Sequence, residues 1–258
     1  MNPSRLPKRT LAVVAGALLS LMLAGSVLAS SGGSAAPDAA AAAARPCATQ
    51  REAARKEPSV ANLKTLGDCE IQRRLVTLAR LQGGVIAAPF LTSLDRQALL
   101  DRIRATRTGL TGLKSEIDAD TTVAELKVDL PRIATEYRVY LLLAPQVNLV
   151  RGADATTAAA GRLGQEAQRL QQLIDFAKSQ GKDVTAAQAA LDAMDHDLAN
   201  ARAQVTGLSA KLLALMPADW NDGSAKPLLD AARAAERSAH AELVSARKDA
   251  RAVIAALK

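Results

Sequence analysis

The sequence predicts an all-α protein, an elongated up-and-down bundle of long antiparallel, coiled-coil-like helices. Hydrophobic residues make up 49% of the 258 residues and aromatic residues only 2%, so the apolar mass is Ala, Leu, Val and Ile. Ala and Leu lose least on entering a helix, whereas sheets are usually filled by aromatic and β-branched residues. Apolar residues recur at spacings of three and four, the period of one helix face. Short breaks between these stretches favour antiparallel neighbours.

Residues 1–29 have the pattern of a secretory signal peptide. Its charged start is formed by three basic residues, Arg5, Lys8 and Arg9. The apolar part is Leu11–Leu23, and Ala29 ends a cleavage pattern. An uncleaved anchor is the alternative, because the apolar stretch nearly reaches the length that spans a bilayer. Residues 30–46, rich in Ser, Gly and Ala, are predicted to be a linker. We therefore expect an exported protein, extracellular or in the periplasm or cell envelope, without a transmembrane segment in the mature chain.

The only two cysteines, Cys47 and Cys69, are predicted to form a disulfide that closes a helical hairpin. An even cysteine count in an exported chain favours a disulfide. Pro58 lies midway between the cysteines, and the stretches on either side of it, Gln50–Lys56 and Val60–Leu66, suit helices. Folding at Pro58 would bring the two sulfur atoms to equal height. A metal site or a redox pair is the alternative, although the sequence has no CxxC motif and no histidine nearby.

Two long helices follow the hairpin turn. The first is predicted over Val60–Ala88. The second is predicted to begin near Thr92-Ser93, which supply its N-cap, and to end at the polar break Asp118–Thr121. Its buried stripe is predicted to be Leu99, Ile103, Thr106, Leu110, Leu113 and Ile117.

A less regular third segment begins at Thr121 or Thr122, either of which can cap it, and Glu125 stands at the capping-box position three residues after Thr122. Pro131 and Pro145 each remove a backbone donor, so the sequence predicts that they kink or break this helix. The apolar run Leu141–Ala144 between them is predicted to be a fully buried helical turn.

The remaining elements are two further helices, a loop and a terminal helix. A helix with a regular apolar stripe follows Pro145 and ends at Gly181 as its C-cap. The next is predicted over Val184–Leu215 without interruption, followed by a loop at Pro217–Gly223 and a last helix from about Lys226. Residues 47–258 are thus predicted to form one helical bundle domain. The same heptads would support a coiled coil between chains, so a homo-oligomer is the alternative.

The charge pattern argues against nucleic acid as a partner. The chain has 33 basic and 26 acidic residues, and three of the basic ones lie in residues 1–29, which contain no acid. The remaining 30 against 26 leave a net charge of +4, with both signs mixed along every helix. Nucleic-acid-binding proteins usually carry a dense basic stripe instead.

We expect no enzyme activity, no cofactor and no metal. The sequence contains no GxSxG, HExxH, P-loop or dinucleotide-binding glycine motif. Asp192 with His196, and Glu236 with His240, are four residues apart on one helix face and could each supply half of a metal site. A metal site needs three or four converging ligands, so solvated surface groups are the favoured interpretation.

Two places are candidate interaction sites. One contains both tyrosines, an arginine and the bend expected near Pro145, and the other is the loop that contains the only tryptophan. Tyr, Trp and Arg are enriched in recognition surfaces, but the tyrosines could instead fill a wide core layer and the tryptophan could cap the end of the core. The candidate residues are Tyr137, Arg138, Tyr140, Gln146, Asn148 and Trp220.

Several stretches beyond Cys69 together match a known pattern. They are Glu70-Ile71 with Arg73-Arg74-Leu75, Asp118-Ala119-Asp120-Thr121, Tyr137-Arg138-Val139-Tyr140 with Pro145-Gln146-Val147, Gly181-Lys182-Asp183-Val184-Thr185, and Pro217-Ala218-Asp219. On these stretches the chain resembles a group of uncharacterised exported bacterial helical proteins. The resemblance implies export and an all-helical fold. It implies no catalytic residue, because no activity is established for that group.

The leading hypothesis from the sequence is a non-catalytic extracytoplasmic bundle that acts through protein–protein or cell-envelope contact. The alternatives are a basic helical holdase, which needs exposed apolar surface, and a bundle that senses a small ligand at the bend between Tyr137 and Asn148. The partner is unknown at this stage.

Overall fold

The computed structural model describes residues 47–258, and the predicted signal peptide and linker lie outside the described residues. All regular elements in this range are helical, which confirms the predicted fold class. In chain order they are α1 (Ala48–Lys56), α2 (Val60–Ile86), α3 (Ser93–Ala119), α4 (Val123–Thr135), a π-helical turn (Val139–Leu143), α5 (Ala144–Ser179), α6 (Thr185–Val205), α7 (Leu208–Ala214), α8 (Pro217–Asn221) and α9 (Ala225–Ala256).

The predicted disulfide-closed hairpin is present at the start of this range. Helices α1 and α2 pack against each other, and Cys47 is bonded to Cys69 with their Cα atoms 5.8 Å apart. Ser59 caps α2, since its side chain accepts a hydrogen bond from the Asn62 amide at 3.3 Å. The hairpin turn at Pro58 is therefore confirmed.

Polar side chains close the turn between α2 and α3. Of the predicted pair Thr92-Ser93, Thr92 is the N-cap of α3, and its amide donates to Asp154 of α5 at 2.8 Å. The Arg96 guanidinium donates to the carbonyls of Val85 and Ala88, both at 2.6 Å. These bonds satisfy carbonyl groups that the end of α2 leaves without helical partners. One arginine thereby fixes the angle at which the two helices meet.

The two prolines of the third segment differ in their effect. Thr122 and Glu125 form the predicted capping box, and Pro131 lies within α4. At Pro145 the sequence predicts a kink or a break, and the structure begins a new α-helix there: Pro145 sits in the first turn of α5, where no helical N–H is needed. Leu141, in the preceding π-helical turn, is 46% exposed, so the prediction of a fully buried run is wrong. The wider turn leaves this side chain on the outer surface.

Helix α5 ends as predicted, but the helix after it is shorter than the sequence indicates. Gly181 takes a φ of 75°, the left-handed conformation of a glycine C-cap. The prediction of one unbroken helix over Val184–Leu215 is wrong, because the chain breaks at Gly207, whose φ is 70°. The predicted loop Pro217–Gly223 contains the short helix α8.

The core follows the predicted stripes. In α3 the buried positions are Leu99, Ile103, Leu110, Leu113 and Ile117, whereas Thr106, the sixth residue of the predicted stripe, is only partly buried. Helices α5, α6 and α9 pack together along their length, and alanines fill many of the contact positions. Small side chains at these positions allow the helix axes to approach closely. No helix in residues 47–258 combines the length and apolarity needed to cross a membrane.

Candidate binding groove

The segment between α4 and α5 contacts three other elements through its side chains. Arg138 takes a left-handed φ of 42°, which turns the chain between α4 and the π-helical turn. The Tyr137 ring covers Gly109 of α3, so that a Cβ at this glycine would lie 2.5 Å from ring atom Cε1. Arg138 Nε donates to Asn221 Oδ1 of α8 at 2.6 Å. Tyr140 extends in another direction, towards α2.

The two candidate places of the sequence are neighbours in the fold. Helix α8 packs against the π-helical turn, and the Asn221 side-chain amide donates to the Thr135 carbonyl at 3.0 Å. Trp220 is partly buried against the core. The long separation in sequence, from Tyr137 to Trp220, concealed this proximity.

Gln146 and Asn148 have different environments. Gln146 is only 1% exposed, and its side-chain amide donates to the carbonyls of Leu212 and Leu215 at 2.7 and 2.9 Å. These carbonyls lie at the end of α7, so Gln146 satisfies backbone acceptors in the interior and presents no surface to a partner. Asn148 is exposed.

An open groove of about 570 Å³ lies beside the disulfide, and we call it the disulfide groove. Its lining residues are Cys47, Cys69, Gln72, Arg73, Val76, Thr77, Arg80 and Tyr140. Most of the lining comes from one face of α2, with the start of α1 and the π-helical turn on either side. Val76 is 41% exposed and Arg80 is exposed, so apolar and cationic groups are both accessible there.

Three arginines surround one carboxylate at the inner edge of the groove. Glu70 accepts hydrogen bonds from Arg51 and Arg74, the latter at 2.6 Å, and forms an ion pair with Arg73 at 3.1 Å. Burial alone would raise the pKa of Glu70, but hydrogen bonds from Arg74 and Arg51 outweigh it and lower the pKa. One negative charge therefore faces three positive charges at neutral pH.

Tyr140 orders two of these arginines. The guanidinium carbons of Arg73 and Arg74 lie 4.6 and 5.3 Å from the centre of its ring, within the range of cation–π attraction. Arg74 is 7% exposed, whereas the Arg73 side chain remains 26% exposed towards the groove. The stack thus holds one arginine in the interior and leaves the other accessible.

Only Tyr140 of the groove was a candidate from the sequence. Arg73 and Arg74 of α2 belong to the stretches that resemble exported bacterial helical proteins, and the sequence assigned them no role. Their spacing carries a signal, since Arg73 and Arg74 follow Glu70 by three and four residues and share its helix face. Tyr140 lies 66 or more positions after these arginines, and no pattern in the sequence indicates that they are in contact.

Asp192, His196 and His240 lie on helix surfaces, as predicted, but Glu236 packs against Gly152 of α5, so the prediction of a solvated surface group is wrong for Glu236. Asp192 accepts from Gln188 at 2.9 Å, and His196 lies 3.1 Å from the Asn200 side chain. His240 is exposed. Within residues 47–258 no group of three or more His, Cys, Asp or Glu side chains is placed to hold a metal ion.

Glu236 is a half-buried acid, and we expect it to make stability pH-dependent. Its carboxyl group covers Gly152 of α5, its Oε1 atom has no hydrogen-bond partner in the described chain, and burial raises its pKa to about 7. The unfolded chain ionises this group near the ordinary value of 4.5, so the folded state loses stability as pH rises from there to about 7. Glu236→Gln should therefore stabilise the protein at pH 8 by about 1–2 kcal/mol, because solvent screens part of the cost of burying the charge.

Urea unfolding of both proteins between pH 4 and pH 8 measures this difference. The gain from Glu236→Gln should be smallest below about pH 4.5 and reach a plateau above about pH 7. Glu242→Gln removes one charge from the same helix and serves as the control. A gain that does not change with pH would contradict the prediction.

The fold and the groove define a class: an all-α bundle with a basic, aromatic-lined surface groove beside a disulfide. No family model matches the chain, and no match is found among curated proteins or solved structures.

Proposed function

We propose that the protein is exported and acts as a non-catalytic binding module that holds a partner in the disulfide groove. The observation that carries the proposal is that one open face combines accessible arginines, an aromatic ring and the exposed apolar side chain of Val76. Tyr and Arg are the residue types that contribute most to binding at protein interfaces. The partner is a protein in the cell envelope or outside the cell.

The proposed location is supported by the disulfide. Disulfides form and persist in oxidising compartments outside the cytoplasm, and the predicted signal peptide agrees with such a destination. The groove itself depends on this bond, because Cys47 and Cys69 form part of its wall. Export and binding are therefore linked in this proposal: the compartment that oxidises the cysteines also completes the groove.

Site-specific photocrosslinking in the native cells tests the proposal. A benzophenone amino acid would replace Thr77 in the groove or, as a matched control, Arg237 on the exposed surface of α9. We expect a discrete adduct with one protein from position 77 and none from position 237. Equal labelling from both positions, or no adduct from position 77 in cells that express the protein, would contradict the proposal.

A holdase is the second candidate function, and one observation favours it. Ile86, Phe90 and Leu94, close to the α2–α3 turn, are 60%, 38% and 77% exposed. Exposed apolar groups of this kind can hold unfolded clients. If the protein suppresses aggregation of a denatured client, and Leu94→Ser removes that effect while Arg80→Ala does not, the turn rather than the groove is the functional surface.

A further inference from the structure

We infer that the ligand of the disulfide groove is a short acidic segment of a partner protein, in a polyproline II conformation, with two carboxylates three residues apart and an apolar side chain between them. This inference rests on the proposed function and adds the chemistry of the partner.

The groove carries an excess of positive charge. Glu70 is shared by Arg51, Arg73 and Arg74, and Arg80 forms no ion pair among residues 47–258. Four guanidinium groups and one carboxylate leave three positive charges in and beside the groove. Arginine binds a carboxylate through two parallel N–H donors, so the shape of the guanidinium group, in addition to its charge, suits this anion.

The spacing of the two accessible arginines sets the spacing of the carboxylates. Arg73 and Arg80 are seven residues apart on α2, which places them about 10 Å apart along the helix and on nearly the same face. In a polyproline II segment, which has three residues per turn, side chains three residues apart lie on the same face and about 9 Å apart. A segment with acids at these two positions can therefore pair with both arginines at once.

Val76 accounts for the apolar part of the ligand. It lies between Arg73 and Arg80 on the same face of α2 and is 41% exposed, with Tyr140 across the groove. An aliphatic side chain between the two acids would cover Val76 and the ring edge. Burying this apolar surface adds affinity to contacts that are otherwise electrostatic.

The groove is ordered before a ligand arrives. The Arg73 side chain is held by Glu70 at 3.1 Å and by the Tyr140 ring at 4.6 Å, and its buried Nε atom has no hydrogen-bond partner in the described chain. A side chain already fixed in place loses little conformational entropy on binding. Arg73 is therefore suited to select the ligand. Arg80 is less restrained, and it adds positive charge that attracts the second carboxylate.

A short carboxylate segment fits this surface better than a nucleic acid or a lipid surface does. Beyond the groove the hairpin has no continuous basic stripe, because the acids Glu52, Asp68 and Glu70 lie among its basic residues. A polyanion would have to pass these acids, whereas a segment of a few residues avoids them.

Fluorescence anisotropy with the full chain and a labelled peptide tests the inference. The probe is a peptide with two glutamates separated by Ala-Leu, and the control probe has glutamine at both positions. We expect the acidic probe to bind at low salt and the glutamine probe not to bind. Arg80→Ala should weaken binding about fivefold, whereas Arg233→Ala, which removes an Asp230-paired arginine from α9, should leave it unchanged.

The outcomes separate this inference from the proposed function. Equal binding of both probes, or no binding of the acidic probe, would overturn the acidic ligand, while a crosslink from position 77 would still support the groove as an interface. Tighter, Arg80-dependent binding of phosphatidylglycerol vesicles or duplex DNA would also overturn it, in favour of phosphate. Arg73→Lys keeps the charge but loses the bidentate donors, and it should weaken binding of the acidic probe about as much as Arg80→Ala.

Discussion

Replacing both cysteines with serine is expected to release α1 from the bundle. This helix has nine residues, of which only Ala54 is buried, and isolated helices of that length are unstable in water. The bond joins residues separated by 22 positions, and closing a loop of that size stabilises the docked state by about 3 kcal/mol. Without it, the Arg51–Glu70 ion pair and the packing of Ala54 remain to hold α1.

Hydrogen exchange measured by mass spectrometry checks this result. Amides of Ala48–Lys56 should exchange much faster in the double serine variant, whereas those of α6 and α9 should keep their protection. Reduction of the unmodified protein should give the same pattern, and the reductant should have no effect on the variant. Unchanged protection of α1 in the variant would show that side-chain contacts alone hold it.

Loss of α1 would also open the disulfide groove. Cys47 and Cys69 line it, and Arg51 of α1 supplies one of the three arginines around Glu70. Binding of an acidic peptide should therefore weaken in the serine variant even though the face of α2 is intact.

The elements that the sequence predicts well are those fixed by local chemistry. The two N-caps and the C-cap Gly181 depend on neighbours within a few residues, and all three are confirmed. The structure places the N-caps at Thr92 and Thr122, within the predicted pairs Thr92-Ser93 and Thr121-Thr122. The buried stripe of α3 follows from the period of the helix alone. The disulfide between Cys47 and Cys69 could also be predicted, because the chain has no other cysteine.

The failures occur where distant residues decide the local conformation. The apolar spacing passes through Gly207 without a fault, yet the helix breaks there. After that break, Gln146 of α5 donates to the Leu212 carbonyl and Arg102 of α3 donates to the Leu213 carbonyl. Both donors are distant in sequence from Gly207, so the residues around the glycine do not reveal these contacts. Burial lowers the pKa of Arg102, which agrees with its interior position.

The candidate site shows the same division. The sequence singled out Tyr140 by composition, but the arginines that complete the groove lie more than sixty residues earlier and are joined to it only by folding. Conversely, Gln146 was a candidate because it lies beside Pro145, and the fold uses its amide in the interior. Proximity in sequence is a poor guide to which polar groups meet in a bundle of long helices.

Gly109→Ala and Gly112→Ala are expected to change stability in opposite directions, although both lie in α3. Alanine favours a helix over glycine by about 1 kcal/mol at either position. A Cβ at position 112 meets no atom within 4 Å, so that variant should be stabilised by about 0.5–1 kcal/mol. A Cβ at position 109 would lie 2.5 Å from the Tyr137 ring, so the ring must move and Gly109→Ala should lose about 1–3 kcal/mol.

A double-mutant cycle with Tyr137→Ala identifies the cause. If the clash with the ring is responsible, Gly109→Ala should become stabilising once the ring is absent, and the coupling free energy should be about 2–3 kcal/mol. Gly112→Ala should keep the same effect in both backgrounds, because residue 112 does not contact the ring. Urea unfolding followed by circular dichroism gives all the required free energies. Equal changes at the two glycines would mean that Tyr137 does not rest on α3, and that the segment leading to Tyr140 is placed by other contacts.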